Sequence, residues 1–306
     1  MHRLTDGLKE KNIPCRTGVI TASLCSFRIG GVAALLVEPQ CVGELIEAVA
    51  LCKQEELPYY IVGKGSNLLF PDGEISTVLI RTVALDAVRE TADGFDALCG
   101  TPLQRLSYLA AKRGMRGLEF ASGIPGTLGG GVYMNAGAYG GALSDVIKSV
   151  RYYDPANDKI KTDLHFQLSF SYRKSKFQAN NCLILSAELT FGDRCDPQAL
   201  LAKMRAQNRA RALTQPLEVP SAGSSFRRLD GGIPLARTID ELGLKGFSIG
   251  GAQVSTKHAN FIINTGNAKA TDVTELINHI ERVVKKERGI VLQEEVQVIG
   301  DREAQF

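Results

Sequence analysis

The sequence lacks the marks of a secreted, membrane-bound or metal-dependent protein. Met1 to Cys15 has no apolar core, so no secretory signal is expected. No uninterrupted apolar run reaches the roughly 18 residues that a membrane-spanning helix requires. The seven cysteines (Cys15, Cys25, Cys41, Cys52, Cys99, Cys182 and Cys195) are scattered and odd in number, with no CxxC or Cys/His spacing that would build a zinc site. They read as buried or half-buried free thiols in a reducing cytosol, and no metal is expected. Lys plus Arg is 36 against 33 Asp plus Glu, a net charge of +3. That balance gives no sign of a nucleic-acid or membrane-surface partner. There is no internal repeat and no low-complexity tail.

What is plentiful is glycine, 31 of 306 residues, ten of them between Gly114 and Gly141. With 44% hydrophobic and 23% charged residues the chain is otherwise an ordinary globular one. Its length fits two domains or one large one.

Helices are signalled by Thr101-Pro102 ahead of Leu103, Leu106, Leu109 and Ala110, with Gly114 as the stop, and by Val42 to Glu56 around Leu45, Ile46 and Val49. Asp272 with Glu275 predicts a capping box, followed by Val273, Leu276, Ile277, Ile280, Val283 and Val284 at helical spacing up to Gly289. Strands are expected at Tyr59–Val62, Val78–Ile80, Leu183–Phe191 and Ile290–Ile299. Helices and strands interleave irregularly, which favours an α+β fold over a regular doubly wound sheet. Polar breaks near Asp93–Gly94 and at Gly192–Pro197 read as boundaries. Lys203, Arg205, Arg209 and Arg211 lack interleaved aromatics and read as a solvated helix face.

Two glycine-rich segments carry the functional signal. Gly63-Lys64-Gly65-Ser66-Asn67 follows a strand as a dinucleotide fingerprint would, but an apolar stub and a turn come next where a Rossmann site needs a helix. Such a turn can still form a backbone nest for an anion, or be no more than a tight turn. Gly123 to Gly131 has P-loop spacing, yet Val132-Tyr133 stand where the lysine and hydroxyl belong. The small residues flanking Asn135 and Tyr139 point to a backbone that closely approaches a flat ligand.

The ordered set Phe27-Arg28-Ile29-Gly30-Gly31, Gly63 to Leu69, Gly117 to Thr127, Met134 to Gly140, Ser171 to Phe177, Pro220 to Phe226, Gly243 to Gly246, Val254-Ser255 with His258-Ala259, and Glu295-Val296 resembles the UDP-N-acetylenolpyruvoylglucosamine reductases, also called UDP-N-acetylmuramate dehydrogenases. The resemblance runs from about residue 27 to 300. It implies a two-lobed FAD-binding domain of the vanillyl-alcohol-oxidase type plus a C-terminal α+β substrate-binding domain, with lobes at 1–85, 86–198 and 199–306. The short path from Phe177 to Leu183 resembles the compact subgroup without an extra substrate-covering loop. The expected activity is NADPH-dependent reduction of the enolpyruvyl group of a UDP-sugar in peptidoglycan precursor synthesis, by a cytoplasmic protein expected to be a monomer. FAD contacts would fall at Gly63, Gly65, Ser66, Asn67, Ile124, Gly126, Thr127, Gly130, Ala136 and Gly137.

That chemistry builds an enolate, so it needs a cation at the substrate carboxylate and a proton donor at the α-carbon. By the resemblance, Arg173 takes the carboxylate with its planar fork, Glu295 helps stabilise or protonate the enolate, and Ser224 donates the proton. By periodicity alone Glu295 reads as a solvated strand residue. Arg228 is a candidate for the diphosphate by charge. Leu229, Leu235, Ala236 and Gln297 depart from the family pattern where UDP-sugar contacts are expected. Three other classes are compatible with parts of the sequence: a Ser224–His258–Asp240 hydrolase, which lacks a GxSxG elbow, a non-catalytic nucleotide-binding protein, and an oxidase on the same flavin fold.

Overall fold

The computed structural model describes residues 1–192, 194–229 and 234–300. The chain opens with α1 (His2–Glu10), β1 (Cys15–Ile20), β2 (Val32–Val37), α2 (Val42–Gln54), β3 (Tyr59–Val62), the stub β4 (Leu68–Leu69), β5 (Glu74–Ile75) and β6 (Val78–Arg81). Strands run in the order β1-β2-β6-β3, with β2, β6 and β3 parallel. Their side chains alternate between two cores. Leu36 and Leu79 face one hydrophobic cluster, while Leu35, Val37, Val78 and Ile80 face another with α1 and α2. A sheet covered on both faces explains why these strands read as continuous apolar runs.

A second sheet is fully antiparallel, in the order β12-β11-β13-β8-β7. It comprises β7 (Val88–Glu90), β8 (Gly94–Leu98), β11 (Ile147–Asp154), β12 (Lys159–Leu164) and β13 (Leu183–Thr190). Between β8 and β11 lie α3 (Leu103–Lys112), α4 (Leu128–Tyr133) and a hairpin of β9 (Gly137–Ala138) with β10 (Gly141–Ala142). After α5 (Pro197–Thr214) comes the third sheet, β14-β17-β16-β15, built from β14 (Ser221–Ser224), β15 (Ser248–Ile249), β16 (Ala252–Val254) and β17 (Phe261–Asn264). The helices α6 (Leu235–Glu241) and α7 (Ala270–Arg288) cover it. On α7, Val273, Leu276, Ile277, Ile280 and Val284 are buried at helical spacing, each contributing about 1.5–3 kcal/mol of burial. Together with the β2 and β6 face they form one continuous core, so the C-terminal region packs directly on the first sheet.

Several expectations are corrected. Ile290–Ile299 is not a ten-residue strand: β18 (Gln297–Val298) pairs in parallel with the two residues of β4, and Glu294 makes one bridge to Phe226. Leu292, Val296 and Ile299 are buried there, so the apolar pattern serves packing rather than a ladder. Asp272 does not open α7. It is the third helical residue and accepts from the Lys269 and Gly251 amides, which holds its carboxyl below the usual range. Asp93–Gly94 is the turn of the β7–β8 hairpin, not a boundary. The basic face of α5 is only partly solvated. Lys203 pairs with the buried Glu119, and burial lowers the pKa of Arg211. Cys41 is exposed at the start of α2, whereas Cys25, Cys52 and Cys99 are buried, and burial pushes the last two thiols up to about 12. Leu235 lies in the core, and the partly buried Leu229 packs against it.

Candidate active site

The two glycine-rich segments face each other. A Cβ at Gly63 would stand 2.5 Å from Thr127 Oγ1, and one at Gly126 would lie 3.6 Å from Ser66 Oγ. Gly65 has φ +63°, and a Cβ there would overlap the Leu24 carbonyl oxygen. Only glycine adopts that conformation cheaply. Thr127 caps α4, its Oγ1 accepting the Gly130 amide at 3.4 Å. The Gly-Gly-Gly run therefore forms a short helix, stabilised by its cap against poor propensity. Ile124 and Gly126 precede this helix, Gly130 lies within it, Ala136 follows it, and Gly137 starts the β9–β10 hairpin. The walls differ from a Rossmann cradle in having β4, not a helix, after Asn67.

Beside the second wall lies α5. Gln207 Oε1 and Arg211 Nε on α5, and Gln215 Oε1 just past its end, are buried with no hydrogen-bond partner among the described residues. The Arg211 side chain packs on Gly123, its Cδ and Nη1 3.1 Å from where a Cβ would be. Buried polar atoms are normally satisfied. Arg211 Nε is an unmet donor suited to an anionic group and the two glutamine oxygens are unmet acceptors suited to hydroxyl or ring N–H donors, a mix that a flavin nucleotide would meet.

Arg173 and Glu295, 122 positions apart, meet as an ion pair with Nε to Oε1 2.6 Å. Their side chains are 19% and 13% exposed, so the pair is largely shielded from solvent. Glu295 is fixed through its backbone. Its N–H donates to Ser225 O at 2.8 Å, and its carbonyl accepts Asn67 Nδ2 at 2.8 Å. Asn67 O in turn accepts the Gln297 amide. One short stretch thus joins the first glycine segment, the carboxylate and the serine strand.

Ser224 and Ser225 are told apart by a bulge. Ser221 pairs with Ile263 and Ser224 with Phe261, so β14 carries one extra residue, and Gly223 takes φ +83°. Ser225 is 2% exposed, and its Oγ accepts the Ile262 amide at 3.2 Å. Ser224 is half-buried, and its hydroxyl has no protein partner among the described residues. Asn260 locks the next residue, bonding both the N–H and the carbonyl of Phe226.

Arg228 is exposed and does not join the pair. Its guanidinium lies 5.8 Å from the Tyr172 ring centre, against 5.0 Å for Arg173, and its N–H donates to Tyr172 Oη. Tyr172 therefore links the Arg173 turn to the segment after Ser224. The Ser224–His258–Asp240 triad does not assemble. Asp240 pairs with Lys245, and His258 Nδ1 accepts the Asn260 amide. Among the described residues no group of three or more His, Cys, Asp or Glu could hold a metal, and no helix is long and apolar enough to cross a membrane.

Residues 33–163 match the model of an FAD binding domain, and residues 215–299 match the C-terminal domain of UDP-N-acetylenolpyruvoylglucosamine reductase. A UDP-N-acetylenolpyruvoylglucosamine reductase from Caldanaerobacter subterraneus subsp. tengcongensis is 41% identical over 90% of the chain and 91% of its own length. The one from Lactobacillus delbrueckii subsp. bulgaricus is 39% identical over 96% of the chain and 98% of its own. The crystal structure of the Thermus caldophilus reductase superposes with a TM-score of 0.78 at 31% identity, covering 94% of this chain and 99% of that one. Fold and family matches thus define an FAD-dependent oxidoreductase of α+β type. Within that class, the chain belongs to the UDP-N-acetylenolpyruvoylglucosamine reductase family.

Sequence reasoning left three contacts without a role. Asn135, at φ +41°, donates to Ser171 O and accepts the Ser144 amide. Asn264 ties the third sheet to Phe27 and Arg28 carbonyls. Asp72 caps α7 from 198 positions away, accepting the Ala270 and Thr271 amides. Asn135 was visible as a polar residue among small ones. The other two carry no local signal.

Proposed function

We propose that the protein reduces the enolpyruvyl group of UDP-N-acetylglucosamine enolpyruvate to UDP-N-acetylmuramate with NADPH as reductant, in peptidoglycan precursor synthesis. The observation that carries this reading is the Arg173–Glu295 pair, joined through the Glu295 backbone to the first glycine segment and to the serine strand. FAD, when bound, would supply hydride-transfer chemistry at the β-carbon of the enolpyruvyl ether, with NADPH as its reductant. Gly63, Gly65, Ser66 and Asn67 on one wall and Ile124, Gly126, Thr127, Gly130, Ala136 and Gly137 on the other would hold it, with domain limits at 1–85, 86–198 and 199–306.

Arg173 receives the substrate carboxylate and stays cationic while charge builds on the enolate. Glu295 holds that guanidinium by Nε, leaving its terminal nitrogens for the substrate. Ser224 Oγ, with no protein partner among the described residues, protonates the α-carbon and is itself re-protonated by water. Ser225 is occupied in the sheet. Arg228, exposed beside Tyr172, meets the diphosphate. The protein acts as a cytoplasmic monomer.

The test is an anaerobic spectrum of the purified protein. NADPH should bleach the yellow flavin, and the enolpyruvyl UDP-sugar should restore it without oxygen. A flavin re-oxidised by oxygen but not by the sugar would favour an oxidase and overturn the reading.

A further inference from the structure

The turn that presents Arg173 is held from beneath by a residue outside the catalytic set. Arg173 has φ +56°, a left-handed conformation that costs a non-glycine residue about 1–2 kcal/mol. Surrounding bonds must therefore fix it. The turn closes on itself through paired bonds between Ser171 and Lys174. The carbonyl of Arg173 accepts Gln178 Nε2 at 2.9 Å, and the same nitrogen donates to Tyr133 O at 2.9 Å. One side-chain amide thus joins the backbone of the arginine to the last residue of α4, directly after the second glycine segment. Ser175 Oγ also donates to Tyr133 O, at 2.8 Å, but it bonds no backbone atom of Arg173.

We propose that Gln178 is a positioning residue for the oxidative half of the reaction. Through the Arg173 carbonyl it holds the guanidinium at Glu295 and sets it relative to the flavin wall. Leucine at this position would fill the same space and supply no N–H. Two carbonyls would lose a donor, and the strained turn could relax away from Glu295. A misplacement of about 1 Å is enough to cost roughly 100-fold in rate. This rests on the reading of Arg173 as the carboxylate partner.

The experiment compares Gln178→Leu with Ser175→Ala as holoenzymes, following the two half-reactions anaerobically with flavin content and melting temperature. The expected Gln178→Leu protein keeps its flavin and is reduced by NADPH within about two-fold of the unsubstituted rate. Its re-oxidation by the enolpyruvyl UDP-sugar is slower by roughly 10-fold or more. Ser175→Ala should change neither rate by more than about two-fold. If Gln178→Leu loses its flavin, Gln178→Glu, equal in length but without the donor, is measured in its place and should show the same selective slowing. Unchanged re-oxidation, equal slowing of both half-reactions, or the same selective slowing in Ser175→Ala would overturn the proposal. Failure of the sugar to re-oxidise the unsubstituted protein would instead refute the functional reading.

Discussion

The two glycine segments, proposed to hold the flavin, and the proposed reacting cluster are built on opposite plans. The walls come from two short runs of sequence and work by the absence of side chains, so that Gly63 and Thr127 can approach. The proposed cluster draws Arg173, Ser224 and Glu295 from distant segments and would work by side-chain functional groups. Adding one methyl group should damage the first, and removing one oxygen should damage the second. Both regions share a joint, Asn67, whose backbone lies in a wall and whose side chain holds Glu295.

On the wall side of the contrast the largest effect is at Gly65. Gly65→Ala combines positive φ with overlap on the Leu24 carbonyl, a strain of about 1–3 kcal/mol. Its FAD dissociation constant, read by flavin fluorescence on titration of the apoprotein, should rise roughly 10- to 100-fold. Unchanged binding would show that the wall is more pliable than its packing implies.

Next comes Asp72, which lies in neither region. Asp72→Ala removes the cap of α7 and should cost about 1 kcal/mol of stability, seen as a lower melting temperature with flavin binding unchanged. A fall in flavin affinity would mean that the C-terminal region helps to shape the wall.

The smallest effect concerns pH. Burial, aided by Lys245, lowers the His258 pKa below its ordinary 6.5. The unfolded chain then binds the proton at higher pH than the folded one. This contribution to stability is complete above the unfolded value and is lost as pH falls through and below it. His258→Gln should flatten the loss of stability on acidification from about pH 7 to 5. An unchanged slope would place the acid sensitivity elsewhere.

How much was legible in the sequence follows the same division. The β3 strand falls where its apolar run places it, whereas the glycine density pointed to a flat ligand and gave no sign that Gly63 and Thr127 approach each other. The ion pair of Arg173 with Glu295 was not legible from periodicity, which made Glu295 a solvated strand residue. Only the family resemblance singled it out. Ile290–Ile299 misled because its partner strand, Leu68–Leu69, is two residues long, so alternation reflects burial of Leu292, Val296 and Ile299 and not a ladder. The α4 helix was hidden by three glycines, although Thr127 was a visible cap. Ser224 and Ser225 are indistinguishable by type. The bulge at Gly223, set by tertiary pairing, separates them.

That separation offers the most direct test. Ser224→Ala and Ser225→Ala are each reduced with NADPH under anaerobic conditions and mixed with the enolpyruvyl UDP-sugar, and flavin re-oxidation is timed. The account predicts that Ser224→Ala is reduced normally but re-oxidised about 100-fold or more slowly. Ser225→Ala should lose about 1–2 kcal/mol of stability and be re-oxidised near the unsubstituted rate. The reverse pattern, with Ser225 essential and Ser224 dispensable, would contradict it.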